Sequence, residues 1–296
     1  MALWEGGIGL IARVGEDYPR DWLRQIKQRN FDTRGIHILP ESIDVRDFYA
    51  YPQLDNCQNS QLVGHFARVG LPFPKTLLGY APPAGGLDHR TQPSATTLRA
   101  NDFPSDYLDA TAAHLCPLDF LSHTLLPPLL HRGHVTSVTI DPAAGYMNPA
   151  FWDDMPKLFK GITAILVSER KAAALFEGRS SDPWEMVQGL ASFGCPLVVL
   201  KRGAAGQYLY DAEHNERWVI PAYPSRVSDP TGAGDAFCGG FLAGWRLTYD
   251  PLIATLYGNI SASLVVEGSG PFYALDSLPG LAEARLESLK DLPRKI

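Results

Sequence analysis

A basic face is what this sequence most plainly lacks. Its 26 Lys and Arg are outnumbered by 32 Asp and Glu and are dispersed along the chain. Binding a phosphate backbone calls for a concentrated positive surface, so no nucleic-acid partner is expected. No apolar run approaches the roughly 18 residues that cross a bilayer, so no membrane partner is expected either. The opening Met1-Ala-Leu-Trp-Glu carries an acid instead of a basic segment, and the apolar stretch 8–12 is too short for a secretory signal. Cysteine is scarce: Cys57, Cys116, Cys195 and Cys238 show no C-x-x-C spacing. That pattern suits reduced thiols and a cytoplasmic location. Repeats, low-complexity tracts and a dividing linker are also absent, so one domain spanning 1–296 is expected, long enough to bury a sizeable core.

What is present is an alternation of apolar runs and amphipathic segments. Residues 7–14 read as a strand and 21–28 as a helix. Segments 37–39 and 43–49 read as strands of a β-rich section at 36–51. Residues 55–100 are rich in Pro, Gly and Asn and poor in periodicity, which predicts an insertion or lid covering about 36–100. Strands follow at 113–116, 135–140, 164–167 and 196–200, interleaved with helices at 125–131, 148–159, 169–176 and 184–193. A hairpin is expected from 206–210 and 217–220, and helices at 233–248, 251–267 and 278–289. Alternation at this spacing implies an α/β fold: a doubly wound, mostly parallel sheet flanked by helices, with a small β-rich lid.

The most informative segment is Ser228-Asp-Pro-Thr-Gly-Ala-Gly-Asp-Ala-Phe-Cys-Gly-Gly-Phe241. Asp229-Pro230 ends an extended stretch, Thr231-Gly232-Ala233-Gly234 is a turn of small residues, and an amphipathic helix follows. Glycines ahead of a helix let a ligand approach unpaired N–H groups at the positive end of the helix dipole, which makes an anion site. Asp235 falls in the first helical turn, beside that site. Its useful role there is to take a proton from a hydroxyl attacking the bound phosphate. The segment is neither a Walker A loop, for which no Gly-x-x-x-x-Gly-Lys occurs, nor a dinucleotide fingerprint, since Phe237 stands at the third glycine.

Asp229–Phe241 resembles the C-terminal signature of the PfkB/ribokinase family of sugar and nucleoside kinases. The resemblance implies that Asp235 is the catalytic base and that the amides of Gly232, Ala233, Gly234 and Asp235 form an anion hole. It implies ATP and Mg2+ as cofactors and a small hydroxyl-bearing substrate. Val135–Pro142 is similar to the family's strand ending in Asp-Pro. Val198–Gly206 is similar to its nucleotide-side loop, so Lys201, Arg202, Gly203 and Gly206 become candidate contacts. Asn259 falls where the family lines its adenine pocket. Lids of this family pair between subunits, which is compatible with a homodimer.

Two departures accompany the resemblance. Val14-Gly15-Glu16-Asp17 is similar to the family's Val-Gly-x-Asp-x-x-Gly, with Arg20 at the last glycine. The strand, the Gly-Gly-x-x-x-Asn segment and the helix that precede it in the family have no counterpart before Val14. About 30–50 residues of the pattern are thus missing by ordinary βαβ lengths, and residues 1–4 read as the tail of that helix. The family's Asn-x-x-Glu, which supports its Mg2+ and phosphates, is here Ser168-Glu169-Arg170-Lys171. Ser168 keeps a candidate cofactor role, Lys171 replaces the carboxylate, and the metal ligands are unassigned. A non-catalytic nucleotide-binding or scaffold descendant is the alternative reading. His131 and His134, Asp153-Asp154, and the group His114, Cys116, Asp119 and His123 follow no ligand spacing and read as structural. Ser122 and Ser228 lack a hydrolase elbow.

Overall fold

The computed structural model describes residues 1–53, 56–81 and 86–296. It opens with strand β1 (Gly9–Gly15), helix α1 (Arg20–Gln28) and strand β2 (Asp32–Leu39), β1 and β2 pairing in parallel as a two-stranded sheet. A hairpin of β3 (Ala50–Gln53) and β4 (Asn56–Gln58) and a short helix α2 (Leu62–Arg68) follow. The main sheet uses β5 (Ala112–Leu115), β6 (Ser137–Ile140), β7 (Ala164–Ser168), β8 (Leu197–Lys201), β9 (Gln207–Asp211), β10 (Glu216–Ile220) and β11 (Arg294–Lys295). They stand side by side in sequence order. The first four are parallel and the last three run antiparallel from β8.

Period two explains why both faces of this sheet are covered. In β7, Ile165 and Val167 point into one core while Ala164 and Leu166 point into the other; Val198 and Leu200 oppose Leu197 and Val199 in the same way in β8. A strand apolar on both faces must be buried on both. One face is covered by α3 (Phe120–Arg132), α4 (Met155–Phe159), α5 (Glu169–Leu175) and α6 (Pro183–Ser192), which are the crossovers between the parallel strands. The other is covered by α7 (Ala233–Thr248), α8 (Pro251–Val265) and α9 (Leu281–Leu289).

The helices α7 and α8 approach closely because their contact is glycine. A methyl group at Gly240 would lie 2.3 Å from Ser261 Oγ, and one at Gly244 would lie 2.8 Å from Tyr257 Cβ.

Three expected features differ. Residues 43–49 form no strand, because their acids bond to their own backbone: Asp44 Oδ1 accepts from the Arg46 N–H at 3.0 Å and Asp47 Oδ1 from the Phe48 N–H at 2.9 Å. Such local bonds compete with a ladder. The helix expected over 148–159 is a 3-10 turn, Pro149–Asp154, followed by α4. Pro156 has no N–H for a continuous helix and clashes with the preceding turn. Residues 1–4 form a turn, with the Trp4 N–H donating to Met1 O at 2.8 Å, in place of a helix tail. Part of the irregular stretch 55–100, residues 55 and 82–85, lies outside the described residues.

Candidate active site

Each parallel strand ends on a polar residue at the same edge of the sheet. Cys116 follows β5, Asp141 follows β6, Ser168 closes β7 and Lys201 closes β8. Ligands of open α/β sheets bind outside these carboxyl ends. The N-terminus of α7 faces them: Lys201 Nζ lies 3.4 Å from Gly234 O and 3.2 Å from Cys238 Sγ.

The turn before α7 is held from outside, leaving its mouth open. Asp229 Oδ1 accepts from the Thr231 N–H at 3.0 Å, and its Oδ2 accepts from Ser269 Oγ at 2.8 Å. The Ser228 and Asp229 N–H groups both donate to Val266 O at the end of α8. Gly232 takes the left-handed conformation, φ 80°, that turns the chain into the helix. Of the amides expected to form an anion hole, that of Ala233 donates to Pro230 O at 3.2 Å, so it closes the turn in place of facing the cleft. The N–H groups of Gly232, Gly234 and Asp235 have no acceptor among the described residues. Tyr51 of β3 lies beside the same turn, near Thr231 and Asp229.

Asp235 is open to solvent, yet protein surrounds it on most sides. That enclosure pushes its carboxyl above the ordinary carboxylate range; Lys201 pulls it down, Asp141 adds to the rise, and Lys171 opposes it. The floor beneath it is a three-residue bridge. Asp141, buried, accepts from Lys171 Nζ at 2.6 Å and from Lys201 Nζ at 2.8 Å. Burial opposes the Asp141 charge, but Lys201 and Lys171 outweigh it and hold the carboxyl low. Burial likewise opposes the charge on Lys201, while Cys238 and Asp141 raise it above the usual ammonium range. The Cys116 and Cys238 thiols are pushed up to about 11 and about 12 by burial, so both are neutral at ordinary pH.

The other candidates divide. Gly203 and Gly206 shape a tight loop after β8, both at positive φ, with the Arg202 N–H donating to Gly206 O at 2.9 Å. The Arg202 side chain is engaged by protein: its Nε donates to Glu169 Oε1 at 3.0 Å and its guanidinium lies 4.3 Å from the Tyr208 ring centre. Ser168 caps α5, accepting from the Lys171 N–H at 3.4 Å. Asn259 has its polar atoms engaged by protein. Its Oδ1 accepts from the Tyr223 N–H, and its Nδ2 donates to Gln207 Oε1 and Pro221 O. It therefore braces the 221–223 segment.

The bridge was not foreseen from sequence, although part of its signal is there: Asp141 directly follows the apolar run of β6 and Lys201 that of β8. The His114 group is structural. Burial pushes His114 down to about 3 and His123 to about 4, both therefore neutral, and Asp119 caps α3.

A divalent cation held by protein carboxylates does not fit these residues. Both Asp141 oxygens are taken by ammonium groups, and among the described residues no three Asp, Glu, His or Cys gather as a ligand set.

Residues 135–277, which contain β6 through the turn and α8, match the pfkB family carbohydrate kinase. Over that region the chain is similar to the pfkB family, and its fold is shared with ribokinase-like structures. It is 28% identical over 256 residues to the cytidine kinase of Thermococcus kodakarensis, covering 82% of this chain and 76% of that protein. Against the 5-dehydro-2-deoxygluconokinase of Bacillus licheniformis it is 32% identical over 120 residues, 40% of this chain and 36% of that one. Among solved pfkB-like folds, an E. coli protein provisionally assigned as Ribokinase II, in complex with ATP and Mg2+, superposes with a TM-score of 0.68 at 21% identity, covering 97% and 85% of the two chains. A Burkholderia thailandensis nucleoside kinase in complex with inosine gives 0.67 at 18% identity, over 97% and 82%. The relatives are sugar and nucleoside kinases, which supports a kinase role.

Proposed function

We propose that the chain transfers the γ-phosphate of ATP to a hydroxyl of a nucleoside or sugar, with Asp235 as general base. The observation that carries this reading is Asp235 lying between two things a phosphoryl transfer needs. On one side are the unpaired N–H groups of Gly232, Gly234 and Asp235; on the other is the doubly paired Asp141 with its two lysines. The acceptor hydroxyl gives its proton to an Asp235 carboxylate oxygen as its own oxygen forms a bond to the γ-phosphorus. The bond from that phosphorus to the β–γ bridging oxygen breaks, and ADP leaves with the electron pair. The helix-end N–H groups take the charge spread over the migrating oxygens. The hairpin carrying Tyr51 closes over the turn and keeps water from competing as acceptor. The broad match to a cytidine kinase makes nucleosides the first acceptors to try.

The test is ADP release from ATP across a panel of nucleosides and sugars, comparing the parent with Asp235→Asn. Loss of a general base is expected to lower kcat by roughly 10²–10⁴. Because burial raises the Asp235 pKa, its charge weakens the fold above the ordinary carboxylate range, so the Asn variant should unfold no earlier than the parent. Equal turnover by both would remove Asp235 from the chemistry. A second reading, a nucleotide-binding protein without turnover, is favoured by Lys171, an ammonium where the resemblance expects an acid. It predicts nucleotide binding with no ADP formed on any acceptor.

A further inference from the structure

We propose that Lys171 and Lys201, yoked by Asp141, seat the phosphate tail of the nucleotide directly, so that nucleotide binding by this chain needs no divalent cation. The inference rests on the kinase reading and concerns how that site takes its donor. One buried carboxylate stands against two ammonium groups, with side-chain exposures of 14% for Lys171, 11% for Lys201 and 5% for Asp141. The trio by itself carries one surplus positive charge largely removed from water, which the neighbouring Asp235 carboxylate offsets until that carboxylate is protonated.

The surplus lies at the mouth where an anion would sit. Lys201 Nζ is 3.4 Å from Gly234 O, at the start of the 16-residue helix α7, where the Gly234 and Asp235 N–H groups have no acceptor among the described residues. Lys171 Nζ has three N–H donors and Asp141 Oδ1 as its one partner among the described residues, leaving donors for phosphate oxygens. Cys238, a neutral thiol at 3.2 Å, does not neutralise Lys201.

A metal ion in such a site supplies positive charge next to the phosphates. Here Lys171 supplies it, from the position where an acid would hold the ion. The one carboxylate on the cleft floor holds lysines instead. Asp141 does more than neutralise: by binding both ammonium groups it fixes their spacing, so a phosphate tail meets a preset pair of donors.

The experiment is calorimetric titration of the full chain with ADP, once in excess Mg2+ and once in EDTA, at equal ionic strength. The parent is expected to bind ADP in EDTA within about three-fold of its affinity in Mg2+. Lys171→Met should weaken binding in EDTA by about ten-fold or more, the loss of a charge-assisted contact, and Lys171→Arg should restore most of it. Lys171→Glu should abolish binding in EDTA. ADP binding by the parent that disappears in EDTA overturns the proposal while sparing the kinase reading, and it needs no variant to fold. A folded Lys171→Met that binds in EDTA as the parent does also overturns it. Failure to bind ADP under either condition removes the kinase reading itself.

Discussion

At the scale of single residues, the acid–base character of the cleft is set by opposing neighbours. Asp235 is raised by enclosure and by Asp141, and lowered by Lys201 and Lys171. A base acts only when unprotonated, so kcat/KM should fall on the acid side with a limb above the ordinary carboxylate value of about 4. Lys201→Met removes a charge that favours the carboxylate, so the limb should move to higher pH, in addition to any loss of nucleotide affinity. A pH profile of kcat/KM for parent and variant checks the sign. A limb that stays put or moves down would exclude Lys201 as a neighbour that tunes the base. Asp235 was legible from sequence because glycines, a helix start and an acid occur together. The pairing of Lys171 with Lys201 was not, because the two are thirty residues apart and only the sheet register, Ser168 opposite Lys201, brings them to one carboxylate.

Among elements, the loop joining β8 to β9 shows what sequence does and does not reveal. Its glycines mark a turn, yet the reason for Gly206 is steric. With φ 85° and ψ −142°, it occupies backbone space almost reserved for glycine. A Cβ there would sit 2.1 Å from Ile220 O, on the paired strand β10. Gly206→Ala is therefore expected to destabilise the chain by about 2 kcal/mol or more, read as a lowered urea midpoint. An unchanged midpoint would show that the loop relaxes freely. The same logic explains the weaker element readings. The strands β7 and β8 were legible because both faces are apolar, whereas the exposed β11, Arg294–Lys295, carries no apolar signal and was not expected. Residues 43–49 carry a comparable β-prone run but lose the ladder to Asp44 and Asp47, whose side-chain bonds are invisible in a hydrophobicity pattern.

For the whole molecule, the division of labour is between a parallel half that ends on the cleft and an antiparallel half that extends it past Lys201. The parallel half was readable from alternating strands and helices. The order of strands and the separate β1–β2 sheet depend on long-range pairing, which no local pattern carries. Fold likeness to structures 18–21% identical shows how much of this architecture survives with few shared residues.

The glycine contact between α7 and α8 has a mechanical consequence. Where two helices touch backbone to side chain without a cushion, neither can shift without displacing the other. The turn that opens α7 is thus clamped at a distance, and it is also tied to α8 through Val266 O. A wedge placed at Gly244, in the third turn of the helix, should tilt the far end of the lever. Gly244→Val is expected to cut turnover more than it lowers the temperature of unfolding, and measuring both on one preparation tells a misaligned mouth from a weakened core.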